Sequence, residues 1–180
     1  MMKGRPLRWG RGFIQERAMF SRRLFISAIA AAIAAPTWAL AQSAGHPAED
    51  YKRAAGLFGS GRKDEAVYWF YRGQYRYRTH LAARPNLRRD GDPALFASLN
   101  ETVGRPINEY AFGDIPRLLQ TLDRVIAEAR SEDDPFTPKA EFAAAHQRTL
   151  AGITGMRNEI DQTRETIRAQ RTRNGLPNRT

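Results

Sequence analysis

Cysteine is absent from this chain of 180 residues. That excludes disulfides, thiolate metal sites and a lipid-anchored cysteine, so the fold must be held by its core alone. Histidine is scarce, with three residues. His46, His80 and His146 share no HxxxH or HExxH spacing and assemble into no legible cluster, so neither a metal nor a cofactor is expected. No Gly-x-Ser-x-Gly elbow points to a nucleophilic serine. No stretch alternates polar and apolar residues for the length of a convincing strand, which leaves an all-α fold. Long apolar runs are missing as well. The one candidate, around residues 24–35, covers about a dozen residues, where a bilayer span needs roughly 20. No second run exists, so no membrane anchor is expected once that segment is gone.

What surrounds the short apolar stretch has the order of an export signal: a basic pair, a greasy segment, then small residues at Ala39 and Ala41 where a signal peptidase reads. The cut is expected between Ala41 and Gln42. The residues also resemble a bacterial twin-arginine signal, whose pattern is Ser-Arg-Arg-x-Phe-Leu-Lys. Ser21, Arg22, Arg23 and Phe25 match it, Ile26 takes the place of Leu, and Ser27 departs from the usual Lys. The resemblance implies export to the bacterial periplasm in a folded state, often with a cofactor or partner carried along. Here, without a cofactor motif, rapid folding or a travelling partner is the expectation. Residues 1–18 are long and basic for such a signal, and Met19 would give a normal short start, so translation is expected to begin there.

Removing residues 1–41 changes the electrostatics. The chain holds 29 Lys+Arg against 19 Asp+Glu, a net charge of +10. Seven of the basic and one of the acidic residues lie in residues 1–41, which leaves 22 against 18, or +4. Most of the basic character belongs to the leader, and a nucleic-acid partner loses its support. What remains, from 42 on, has the length of a single domain that buries a real core.

Nearly all of it reads as helix. Pro47 with Glu49 and Asp50 opens a first helix that stops near the Gly59-Ser60-Gly61 turn. A second runs from about Lys63 to Ala83, ahead of Pro85. Asp92-Pro93 opens a short third, to Leu99. Residues 100–113 read as a structured loop with at most a turn of helix near 107–111. Asp114 caps a fourth helix whose Ile115, Leu118, Leu119, Leu122, Val125 and Ile126 form one stripe. It fades into a polar breaker at 131–135. Thr137-Pro138 starts a last helix of about 36 residues, roughly 54 Å at 1.5 Å per residue, ending near Gly175. The sum is a small bundle of about five helices over 42–175, with a frayed basic tail at 176–180.

The densest signal is in the second helix, where residues 68–78 include six aromatics and three arginines. Ala66, Phe70, Gly73, Tyr77 and Leu81 form one stripe; Tyr68, Tyr71 and Tyr75 form another. Apolar bulk on more than one face predicts a central pillar, with Gly73 admitting a neighbour closely. Tyr68, Tyr71, Arg72, Tyr75 and Arg76 are then either a core with polar tips at its rim or a surface that grips an anionic ligand. Residues 54–70 resemble a tetratricopeptide or Sel1-like helical hairpin, with Ala66 as the small pairing residue and Phe70 as the following aromatic. One hairpin over about 35 residues carries the likeness, where solenoids need three or more units.

A second concentration is Glu101, Arg105, Glu109 and Tyr110 in the 100–114 segment. Glu101 and Glu109 invite a paired-carboxylate reading, which requires about 5 to 9 Å between the carboxyl groups; the simpler reading has these polar groups tie helices together. On the last helix Phe142, His146, Thr149, Ile153, Met156, Ile160, Thr163 and Ile167 recur at 4 and 3 spacing, a heptad seam. It either lies along its own bundle or pairs with a second copy or a partner helix. The sequence is thus expected to encode an exported helical protein that binds another protein, as an accessory subunit, adaptor, inhibitor or immunity protein. The alternative is a small envelope enzyme or ligand binder acting on cell-wall material through Glu101, Glu109 and Arg72.

Overall fold

The computed structural model describes residues 45–179, and every regular element among them is helical. The export-signal residues, from Ser21 to Gln42, lie outside the described residues. The elements are α1 (Ala48–Gly59), α2 (Lys63–Ala83), α3 (Asp92–Leu99), a π-helical turn (Asn100–Gly104), α4 (Arg105–Ala111), α5 (Ile115–Ser131), α6 (Lys139–Gln162) and α7 (Arg164–Arg173). None is long and apolar enough to cross a membrane.

The ends of these helices follow from local chemistry. Pro47 caps α1 and places Glu49 and Asp50 in its first turn. Gly61, at φ +83°, turns the chain into α2 through a conformation that favours glycine. The Asp114 side chain accepts from the Arg117 amide at 3.1 Å, the cap expected from sequence.

α1 and α2 form an antiparallel hairpin. Its closeness depends on Gly73, where a Cβ would come within 2.8 Å of the Asp50 Cβ and 3.1 Å of the Tyr51 ring. α2 is the pillar of the bundle, packed against α1, α3, α4, α5 and α6. Ala66, Phe70 and Tyr77 on its predicted stripe are fully buried, with Tyr51 of α1 set edge-on to Phe70 at 5.4 Å. All six residues of the α5 stripe are buried, each Leu or Ile worth about 1.5–3 kcal/mol relative to exposure.

Three features differ from the sequence reading. Residues 100–111 are helical, not a loop. Gly104 and Pro106 read as joints, but Gly104 keeps a right-handed helical backbone (φ −70°, ψ −39°), and the wider π-helical turn ahead of Pro106 carries the chain into α4 without a loop. The last helix is two: it breaks at Thr163 (φ −106°, ψ 13°), whose hydroxyl donates to the Glu159 carbonyl at 2.6 Å, and it is also kinked at Phe142. Ile153 and Ile160 of the heptad pattern are buried within this chain. Residues 176–179 fold back instead of fraying. The Arg179 amide donates to Gly113 O at 2.7 Å, and buried Arg171 donates to the Glu109 and Pro177 carbonyls.

Candidate functional site

Helix α2 brings together most of the residues singled out from sequence, and it divides them between inside and outside. Its four tyrosine hydroxyls each reach a different helix. Tyr68 donates to Glu128 of α5 at 2.6 Å, Tyr71 to Asn108 of α4 at 2.8 Å, Tyr75 to His146 of α6 at 3.0 Å, and Tyr77 to Asp92 of α3 at a longer 3.4 Å. Tyr51 and Tyr110, the remaining two of the six, donate to Asn100 and Asp64. Burial pushes the Tyr71 and Tyr75 hydroxyls up in pKa, and burial with the Glu128 bond takes Tyr68 to about 12. These phenols stay protonated and act as struts.

Arg76 is the second internal tie. Its Nε and Nη2 bind both oxygens of Asp134 at 3.1 and 2.8 Å, its Nη1 binds Asp50 at 3.0 Å, and Nη2 also donates to Gly45 O. Arg76, Asp50 and Asp134 are all more than nine-tenths buried. Arg72 extends the group outward, giving Nη1 to both Asp50 oxygens at 2.8 Å. Beside this cluster lies a cleft of about 50 Å³ lined by Arg72, Tyr75, Arg76, Glu128, Asp134 and His146. It has room for a few waters, against the 300–1,000 Å³ that holds a small-molecule ligand. His146 at its base donates from Nε2 to Thr137 O at 2.7 Å and accepts from Tyr75 at Nδ1, so both ring nitrogens are engaged.

The outer face of α2 is different. Arg53 of α1 lies 3.8 Å over the Trp69 ring, and Arg72 lies 5.1 Å from the same ring. Trp69 meets Tyr68 edge-on at 5.3 Å, and Arg124 of α5 stacks on Tyr68 at 3.8 Å. Three guanidinium groups thus sit on two neighbouring aromatic rings in a row across α1, α2 and α5. None of the five is fully buried.

The histidines assemble after all. His46, Asp92 and His80 bring their ligand atoms within 4.8 Å of one another, the separation a bound cation would need. His80 Nε2 is 2.7 Å and His46 Nε2 3.4 Å from the Asp92 carboxylate. The other nitrogens decide whether a metal fits. His80 Nδ1 faces Arg84 Nη1 at 2.9 Å, and His46 Nδ1 accepts from the Ala48 amide at 3.1 Å. An arginine or an amide only donates, so each Nδ1 carries the lone pair and each Nε2 carries the proton. A metal on Nε2 needs that lone pair there, with Nδ1–H given to an acceptor. The residues present do not fit a metal. They fit a carboxylate at the first turn of α3, held by two imidazole N–H groups. Burial lowers the His80 pKa, although the Asp92 bond works the other way. For Asp92 burial raises the pKa, but the bond from His80 and the nearby His46 outweigh it and hold the carboxyl low.

The residues of the 100–114 segment are brought elsewhere. Glu101 pairs with Arg105 at 2.9 Å on the surface. Glu101 and Glu109 are eight residues apart on one helical stretch, about 12 Å along its axis, and the cleft that Arg72 lines includes neither of them. The three groups named for a catalytic centre do not converge. Tyr110 is packed instead under Arg179, 3.8 Å above its ring.

Sequence reasoning missed Asp50, Asp134, Arg53 and Glu128. Asp50 reads as a first-turn carboxylate and Asp134 as part of a breaker, and only the register of the α1–α2 hairpin and the return of the 131–138 connection reveal Arg76 between them. Of the outer row, Tyr68 and Arg72 stand among the sequence candidates, and Trp69 lies beside them in the aromatic run. Comparison with protein-family models, with curated proteins and with solved structures finds no match to this chain.

Proposed function

We propose that this is an exported helical protein of the bacterial periplasm that works by binding another protein, as an accessory subunit or adaptor or as an inhibitor of the immunity type. The observation that carries the reading is the row of arginines stacked on Trp69 and Tyr68. Tryptophan, tyrosine and arginine are the residue types that dominate binding energy at protein interfaces, and here they are gathered on an accessible face while the other tyrosines are used inside. The export part rests on Ser21, Arg22, Arg23, Phe25 and the Ala39-x-Ala41 site in the sequence. A second copy bound through the C-terminal helices would have to use Met156, Thr163 and Ile167, since Ile153 and Ile160 are covered.

The test is made in cells. A photo-crosslinking residue placed at exposed position 56 or 65, one helical turn from Arg53 and Trp69, or at 95 or 167, should yield a discrete adduct with one protein, and the processed chain should appear in the periplasmic fraction. Arg22→Lys with Arg23→Lys should hold the unprocessed chain back. Silence at all four positions removes the binding reading, and processing untouched by the paired change removes the twin-arginine route.

A further inference from the structure

We infer that the Arg53–Trp69–Tyr68–Arg124 row docks an acidic segment of a partner protein, carboxylates set among apolar residues; this rests on the binding reading above. The three guanidinium groups differ in what each has left to give. A guanidinium stacked on a ring uses its face and keeps its in-plane N–H donors at the edge. Arg124 gives its Nε to Glu128, and Arg72 gives one Nη to Asp50. Arg53 is exposed, has its face on Trp69 at 3.8 Å, and makes no ion pair among the described residues. It is a cation held in place by a stack, with its donors directed to solvent, so less freedom is lost when a carboxylate binds.

The surroundings choose the class of anion. Glu128 lies within the row, and Glu132 and Asp133 border the adjoining cleft beside Arg72. A polyanion with continuous charge, such as a nucleic-acid backbone, would meet these carboxylates on any path across the row. A polypeptide places its charges at discrete points, so a carboxylate on Arg53 with apolar side chains on the exposed parts of Trp69 and Tyr68 satisfies both the charge and the rings.

Trp69 makes the proposal measurable. The chain has three tryptophans, Trp9, Trp38 and Trp69, so the full chain carrying Trp9→Phe and Trp38→Phe reports from this row alone. Titration with a short peptide of alternating glutamate and leucine should give a saturable change in Trp69 emission that weakens as salt is raised. Arg53→Ala should weaken it about tenfold, and Arg53→Lys should restore it only in part. Arg53 is exposed, so a circular dichroism spectrum identical to the parent's is expected and separates lost binding from lost fold. An emission that this mixed peptide leaves unchanged overturns the proposal, as does an Arg53→Ala chain that binds equally well. A DNA oligonucleotide of equal charge that binds more tightly overturns it in favour of phosphate recognition. If photo-crosslinkers at positions 56 and 65 are silent while one at 95 or 167 finds a partner, this surface falls and the binding reading stands; silence at every position takes both.

Discussion

Replacing Arg76 by methionine isolates the interaction on which the interior of the bundle most depends. The guanidinium fork holds Asp134 through two bonds and Asp50 through a third, and all three side chains are shielded from water. Methionine fills similar volume but leaves two buried carboxylates short of their cation. Asp50 keeps Arg72, and Asp134 keeps the Phe136 amide at 3.0 Å, so neither is stripped bare. Removing one partner of a buried pair costs about 3–5 kcal/mol, out of a total stability of about 5–15 kcal/mol. For a domain of this length that corresponds to a fall in melting temperature of roughly 10–20 °C. Urea unfolding followed by far-ultraviolet circular dichroism gives the free energy directly. Arg76→Lys keeps a charge without the fork and should fall between parent and methionine. Adding Asp50→Asn and Asp134→Asn to Arg76→Met should recover about 1 kcal/mol or more, because the uncompensated charges go with them. A cost for Arg76→Met below about 1 kcal/mol, typical of a surface site, would mean that the cluster is not the tie described.

Two glycines should respond in opposite directions. Gly73→Ala drives a methyl to 2.8 Å from the Asp50 Cβ and should destabilise by about 1–3 kcal/mol, whereas Gly155→Ala, in α6 with open space around it, should stabilise by about 0.5–1 kcal/mol; equal effects in chemical denaturation would contradict the packing. Stability should also fall in mild acid. The folded pKa of His80 lies below its ordinary value of 6.5, so the unfolded chain takes up that proton first, and the contribution present above about 6.5 is lost as pH drops through the folded value. The depressed carboxyl of Asp92 acts in the same direction at lower pH. A urea midpoint that does not move between neutral pH and pH 5, or that moves as much in His80→Asn, would refute this. Equimolar zinc should leave the melting temperature where it is, because both Nε2 atoms of the histidine cluster carry protons; a rise of several degrees would show that the tautomers are otherwise.

How much of this was legible from sequence depended on whether the signal was local. α2 was bounded correctly because Asp64, Glu65 and the approach of Pro85 mark its ends, and α5 because Asp114 caps an unbroken apolar stripe. Gly73 stood out as a glycine set between Phe70 and Tyr77 on the same stripe. The passage into α4 misled, since Gly104 and Pro106 suggest a loop where the chain stays helical through a π-helical turn. The break at Thr163 carried no glycine or proline to announce it, only a hydroxyl that found the carbonyl four residues back. The histidine cluster could not have been read at all: His46 precedes α1, His80 ends α2 and Asp92 opens α3, and only the hairpin register and the return of α3 place them together.

The same logic separates the two roles of α2. Its polar residues fall into those that meet another helix and those that meet water, and burial decides which chemistry each keeps. Tyr71, Tyr75 and Arg76 point inward, where an unpaired hydroxyl or guanidinium would be costly, and each is fully committed to a partner. Arg72 stands at the boundary, one nitrogen on buried Asp50 and its plane near Trp69. Trp69 and Tyr68 lie one step further out, partly exposed, with arginines of three helices on their rings. Replacing residues 53, 68, 69 and 124 together by Ser, Gln, Gln and Gln should cost the Tyr68–Glu128 bond, about 1 kcal/mol, and the partial burial of the two rings, about 1–3 kcal/mol more, while abolishing any binding that runs through this face.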